Sequence, residues 1–233
     1  MSKLTIRYRF TLPDSSERIF TLEMDRDTAE LKPSTRTDLP AWTELGFNQC
    51  AGCPFETARV ARCPAAVHLA GVIDGFEDLV SYDTVRVTVD SEERSVTATL
   101  SAQQALASLM GLVMASSGCP RTAVFRPMAR FHLPFSNEAE TAYRVASMYL
   151  VAQHFADRDG AAADVKLERF ESVYRGVHAV NRGIAQRLRA ATRQDAIVNA
   201  VVLLDVYSSL VPAAIHDLLE EIRPAFSALL RNE

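Results

Sequence analysis

The sequence predicts an α+β fold: a small antiparallel β-sheet of two hairpins packed on a mainly helical C-terminal bundle. Three observations point to it. Polar and apolar residues alternate in two pairs of short segments before residue 101, helical periodicity dominates after it, and about forty residues between the first hairpin and the first helix carry neither period.

Taken in order, Leu4 to Leu12 and Arg18 to Met24 form the first expected hairpin, because Thr5, Arg7 and Arg9 alternate with Ile6, Tyr8 and Phe10 and Pro13-Asp14-Ser15-Ser16 supplies a turn. A second runs from Thr84 to Val89 and from Ser95 to Leu100 around Asp90-Ser91-Glu92-Glu93, with Val85, Val87 and Val89 on one face. The main helices are expected at Ala102–Ser116, Asn137–Phe155, Val165–Ala191 and Gln194–Leu210, with a last one from Pro212 to Leu230. Asn137 followed three residues later by Glu140 is a capping box. Met148, Tyr143, Tyr149 and Phe155 stand at helical spacing and are expected in the core. No repeat or Gly/Ser linker divides the chain, so residues 1–233 are read as one domain, β-rich over 1–100 and helical over 101–233.

With 48% hydrophobic and 23% charged residues, the chain has a globular balance. Its net charge of −4 argues against a nucleic-acid partner, which needs a basic surface. The N-terminus lacks the apolar core of a signal peptide, which points to the cytoplasm. The longest strongly apolar stretch, Ala196 to Ile215, contains Asn199, Asp205, Ser208, Ser209 and Pro212, so it reads as a buried helix and no membrane is expected. The polar residues Asp195, Asn199 and Asp205 need partners there, and Arg144, His178, Asn181 and Arg182 are available.

The chemistry lies in four cysteines: Cys50-x-x-Cys53, Cys63 and, in Ser-Ser-Gly-Cys-Pro, Cys119. In a reducing compartment such a set suggests a metal site or a catalytic one rather than disulfides. Pro54, Pro64 and Pro120 follow Cys53, Cys63 and Cys119, so each of these cysteines is expected at a helix N-cap, where the helix end favours an anion. Structural zinc often uses two Cys-x-x-Cys knuckles. The single knuckle leans towards a [4Fe–4S] cluster, with Zn2+ as the alternative. A metal would also explain the long aperiodic segment, since structural zinc can contribute on the order of 10 kcal/mol to ordering its site. Two other readings stay open: buried thiols without a ligand, and a redox-active Cys50–Cys53 dithiol. His68 and His132 are substitute ligands to be tested, although His68 shares a presumed helix with Cys63 and is expected on a different side of it.

Arg126, Arg130 and His132 are concentrated in a proline-bounded segment after Cys119 and form a candidate site for a small anionic ligand or a redox partner. Pairing of the two arginines with Glu138, Glu140 or other helix carboxylates is the plainer expectation. Phosphate-loop, dinucleotide, zinc-protease and serine-hydrolase motifs are absent from the sequence.

The segments Phe47-Asn48-Gln49-Cys50-Ala51-Gly52-Cys53-Pro54, Cys63-Pro64-Ala65-Ala66-Val67, Ser117-Gly118-Cys119-Pro120 and Arg130-Phe131-His132-Leu133-Pro134-Phe135 resemble a family of bacterial proteins known as a domain of unknown function. The resemblance covers Phe47 to Leu210, leaves out the first hairpin and implies no activity. The resulting expectation is a metal-centre protein, with redox or sulfur chemistry open to it. The alternative is a zinc-stabilised, non-catalytic helical interaction or regulatory module, with Ala- and Val-rich helix faces buried in a homodimer.

Overall fold

The structure is a computed structural model that describes residues 3–76, 79–191 and 195–231. β1 (Lys3–Thr11) and β2 (Glu17–Asp25) pair antiparallel, with Tyr8 opposite Phe20. β3 (Thr84–Asp90) and β4 (Ser95–Ser101) do the same, with Val87 opposite Ala98. The two hairpins join through an antiparallel β1–β3 pair that sets Phe10 against Val87, giving the strand order β2-β1-β3-β4. Alternation decides which side is covered. Leu4, Ile6, Tyr8 and Phe10 are buried on β1, as are Val85, Val87 and Val89 on β3.

The helices are α1 (Pro64–Ile73), α2 (Ala102–Ser116), the short α3 (Arg126–Arg130), α4 (Glu138–Arg158), α5 (Phe170–Ala191), α6 (Asp195–Ile222) and α7 (Ser227–Leu230). One large apolar cluster joins the sheet to α1, α2 and parts of α5 and α6. A smaller one, around Val145, Tyr149, Phe170, Val211 and Ile215, holds α4 to α5 and α6. The α+β architecture expected from the sequence is the observed one.

Several boundaries differ for local reasons. The helix expected from Val165 starts at Phe170. The buried Asp164 carboxylate accepts the N–H groups of Glu168 (3.0 Å) and Arg169 (2.7 Å) and the Tyr149 hydroxyl (2.8 Å), while Leu167 takes a positive φ of 62°. These contacts hold the approach to α5 as a turn. The break expected between Leu210 and Pro212 does not occur, and α6 runs through Pro212. Proline costs a helix about 3 kcal/mol, but Val211 and Ile215 beside it are both buried, so packing outweighs the lost hydrogen bond. The expected start at Gln194 lies outside the described residues. Tyr149 is in the core, but Tyr143 and Phe155 are half exposed. Six residues along a helix turn the side chain about 120° away from the starting face.

By length and composition alone, the helical stretch Asp195–Leu230 is apolar enough to cross a membrane. Here α6 packs with Ala196, Ile197, Ala200, Val201, Val211 and Ile215 buried. Its polar residues find partners. His178 Nδ1 of α5 stands 2.7 Å from Asp205 Oδ1, a close contact without the geometry of a directed hydrogen bond. Asn199 donates to Asp195 Oδ1 (2.8 Å) and Ser81 Oγ (2.6 Å), and Asn181 donates to the Leu204 carbonyl (3.1 Å).

The capping box on α4 is formed in both directions at 2.9 Å, Glu140 N–H to Asn137 Oδ1 and Asn137 N–H to the Glu140 carboxylate. Replacing Asn137 with Ala should cost about 1 kcal/mol and lower the melting temperature by about 2–4 °C, read by circular dichroism.

Candidate functional site

The long segment before α1 is ordered by hydrogen bonds from both sides. Cys63 N–H donates to the Thr43 carbonyl (2.8 Å) and Leu45 N–H to the Ala61 carbonyl (2.9 Å), which folds residues 43–63 into a closed loop. Arg187 of α5 fastens that loop to the bundle. Its guanidinium is 1% exposed and donates to three carbonyls, those of Trp42 (2.8 Å), Glu44 (2.6 Å) and Leu45 (2.7 Å). Its Nε has no partner, and among the described residues no carboxylate lies within ion-pair distance of it.

The four cysteines arrive from three directions. Cys50 and Cys53 flank a tight turn closed by Cys53 N–H to the Cys50 carbonyl (3.0 Å), with Gly52 at φ +62°, a conformation natural to glycine. The knuckle rests on α5 at Gly183, where a Cβ would collide with Cys50 Sγ. Cys63 is the buried N-cap residue of α1, with Pro64 at the first helical position as expected. Cys119 follows the end of α2, held by the Thr122 hydroxyl, which donates to the carbonyls of Met114 (2.6 Å) and Cys119 (3.3 Å). A Cβ on the preceding Gly118 would stand 3.9 Å from Pro64 Cβ, so this segment runs against the start of α1. Arg121 completes the assembly, donating to the Ala51 carbonyl (2.7 Å) and to the Gly52 carbonyl and so tying the knuckle to the Cys119 segment.

All four thiols are free, and Cys50, Cys53 and Cys119 are half-buried around the buried Cys63. They are close enough to sense one another's charge. Burial pushes the Cys50 thiol up to about 11; the charge Cys63 would carry adds to this, Arg187 opposes it, and Cys53 and Cys119 add less. Burial also raises Cys63, opposed by the Ala66 N–H and by Arg187, with Cys119 adding and the Ala65 N–H opposing. The two N–H groups favour a thiolate at the helix N-terminus although no side-chain capping hydrogen bond forms. As they stand, no group of three or more His, Cys, Asp or Glu side chains among the described residues is drawn together at metal-holding distance.

The expectation of three helix ends is corrected. Only Cys63 caps a regular helix. Cys53-Pro54 enters an irregular turn, and Cys119-Pro120 opens a turn and the short 3-10 helix Ala123–Phe125. A helix after Cys53 would need the chain to leave the knuckle in one direction, whereas Gln49 Nε2 donates to the Phe55 carbonyl (2.9 Å) and bends it back.

A family model described as a domain of unknown function (DUF6901) matches residues 6–227. The chain belongs to the DUF6901 family. The match begins inside β1, so the first hairpin is part of the DUF6901 unit and the region of likeness is wider than Phe47 to Leu210. No curated protein and no solved structure matches the chain.

Within this DUF6901 chain, Arg126, Arg130 and His132 do not converge on one ligand. Arg126 pairs with Glu30 (2.7 Å), Arg130 stacks over the exposed Phe131 ring at 5.2 Å, and His132 turns inward. His132 Nε2 lies 2.6 Å from the hydroxyl of the fully buried Tyr8, which also meets Ser108 Oγ at 2.8 Å. His132 therefore belongs to the sheet–α2 junction, not to the thiols. His68 is partly buried on α1, with its pKa lowered by burial against a smaller opposing effect of Glu30.

Arg121 and Arg187 were not among the residues singled out from the sequence. Arg187 gave one signal: a charged residue on the apolar stripe Val177, Val180, Ile184, Leu188. Arg187→Met should destabilise the fold by about 3 kcal/mol or more, since buried carbonyls without donors cost about 1–3 kcal/mol each; the urea midpoint reads it. Burial, with a smaller contribution from Arg144, pushes His132 down to about 3. The unfolded chain takes up a proton near pH 6.5 while the folded one does not, so this contribution is present above that pH and is lost as pH falls towards 3. His132→Gln should move the acid-unfolding midpoint to lower pH.

Proposed function

We propose that this is a metal-centre protein in which Cys50, Cys53, Cys63 and Cys119 hold a [4Fe–4S] cluster. The observation that carries the reading is the approach of Cys50 and Cys63 to Arg187, a buried cation balanced by no carboxylate among the described residues, with Cys53 and Cys119 near enough for their charge to be felt. A buried charge needs a counterpart. Four thiolates around such a cluster leave a net charge of about −2, which one guanidinium and the α1 N-terminus partly offset. The half-buried Cys50, Cys53 and Cys119 leave room for a ligand to draw the knuckle and the Cys119 segment inward, and bound iron would supply one-electron redox chemistry or a site for sulfur chemistry.

A second reading, a zinc-stabilised helical interaction module, is favoured by a different observation. Tyr143, Leu150, Val151 and Phe155 expose apolar surface along α4, and Val206 and Leu210 do so on α6. Such surface suits a homodimer or a regulatory partner.

Purification without oxygen separates the two. A brown protein with about four iron and four sulfide per chain, lost in Cys119→Ala, is the expected result. One zinc per colourless chain, together with a dimer that Leu150→Glu splits, would favour the second reading. No metal, or Cys119→Ala with unchanged metal content and melting temperature, would overturn the four-cysteine centre.

A further inference from the structure

Between β4 and helices α2 to α6 lies a cavity of about 500 Å³, within the roughly 300–1,000 Å³ usual for small-molecule sites. Apolar side chains make most of its wall, among them Leu112, Met114, Phe125, Leu203 and Val211. No Asp or Glu lines it, and Arg144 is its one permanently charged residue. That guanidinium is partly buried, and burial lowers its pKa against a smaller opposing effect of Glu140. It donates to the carbonyls of Met128 (3.2 Å), Phe131 (3.1 Å) and Leu133 (3.4 Å) and to Ser136 Oγ (3.2 Å). These contacts are long for charge-assisted bonds, typically about 2.7–2.9 Å. Among the described residues no carboxylate lies within ion-pair distance of Arg144.

A second polar group faces the same space. Tyr174 is 5% exposed, packs edge-on against Phe125 at 5.4 Å and lines the cavity.

We propose that this cavity binds an apolar monocarboxylic acid, its carboxylate on Arg144 and its hydrocarbon body against the α2, α5 and α6 walls. Charge decides the class. One cation with no carboxylate in the cavity lining or within ion-pair distance repels cationic ligands, leaves the second charge of a dicarboxylate unpaired, and favours a single anionic group on an otherwise apolar molecule. The site is independent of the four thiols, none of which lines the cavity.

The test is calorimetric titration of the full chain, stripped of copurifying lipid, with dodecanoate, dodecanol and dodecyltrimethylammonium, each below its micellar range. Dodecanoate should bind at least about tenfold more tightly than the alcohol, since a hydrogen bond to a charged group is worth about that much, and the ammonium should not bind. Arg144→Gln should remove the preference for the carboxylate while keeping dodecanol affinity, and Leu203→Trp, which fills the cavity, should weaken both ligands without lowering the melting temperature. Because Arg144 also holds the carbonyls of residues 128–133, the ligand series on the unaltered chain and Leu203→Trp decide the matter if Arg144→Gln does not fold. Absence of dodecanoate binding, equal affinity for acid and alcohol, or binding indifferent to Leu203→Trp would overturn the proposal.

Discussion

A guanidinium taken out of water must recover its hydration from the protein, and Arg187 recovers it from three backbone carbonyls that lie 142 to 145 residues earlier in the chain. The constraint acts in both directions. The charge fixes where residues 42–45 must lie, and those residues fix where Cys63 must lie, because the Cys63 N–H is bonded to Thr43. The segment between sheet and α1 has little periodic structure of its own, so it becomes a scaffold through side chains that reach its carbonyls, Arg187 from α5 and Arg121 from the Cys119 segment.

Helix α5 therefore serves two sites. Gly183 and Arg187 meet the cysteine loop, while Tyr174, Val177 and Asn181 meet the cavity. The stretch from Met114 to Phe125 is shared in the same way: Met114, Ala115, Thr122 and Phe125 line the cavity, and Cys119 lies between them. The thiols and the cavity are thus held by the same two pieces of backbone. The piece after α2 is fixed by hydrogen bonds from side chain to carbonyl, at Thr122 and Arg121, whereas α5 is a regular helix.

What could be read in advance had a local cause. The β-hairpins were legible because Ile6, Tyr8 and Phe10 alternate with charged neighbours, and the α4 start was legible because Asn137 and Glu140 stand three apart. Cys63 at the start of α1 was legible from the proline that follows it, although the sequence overstated the helices behind Cys53 and Cys119. The β1–β3 pairing was not legible, since nothing in either strand names the other. Arg121 and Arg187 were missed because their partners are carbonyls, which every residue carries. Arg144 was considered only as a partner for polar residues of α6, and a cavity lining without Asp or Glu is a property of five helices together, visible in no one of them.

Helix α6 touches α2, α4 and α5 and is a long apolar helix, yet Val206 and Leu210 on it stay in contact with water. During synthesis it is made after the helices it must dock against. Until docking is complete, a long greasy rod is free to meet other chains. The consequence is that small losses of stability in the bundle should be felt first as lost yield of dispersed protein rather than as altered chemistry, because the half-folded molecule is the one exposed to aggregation and to cellular quality control.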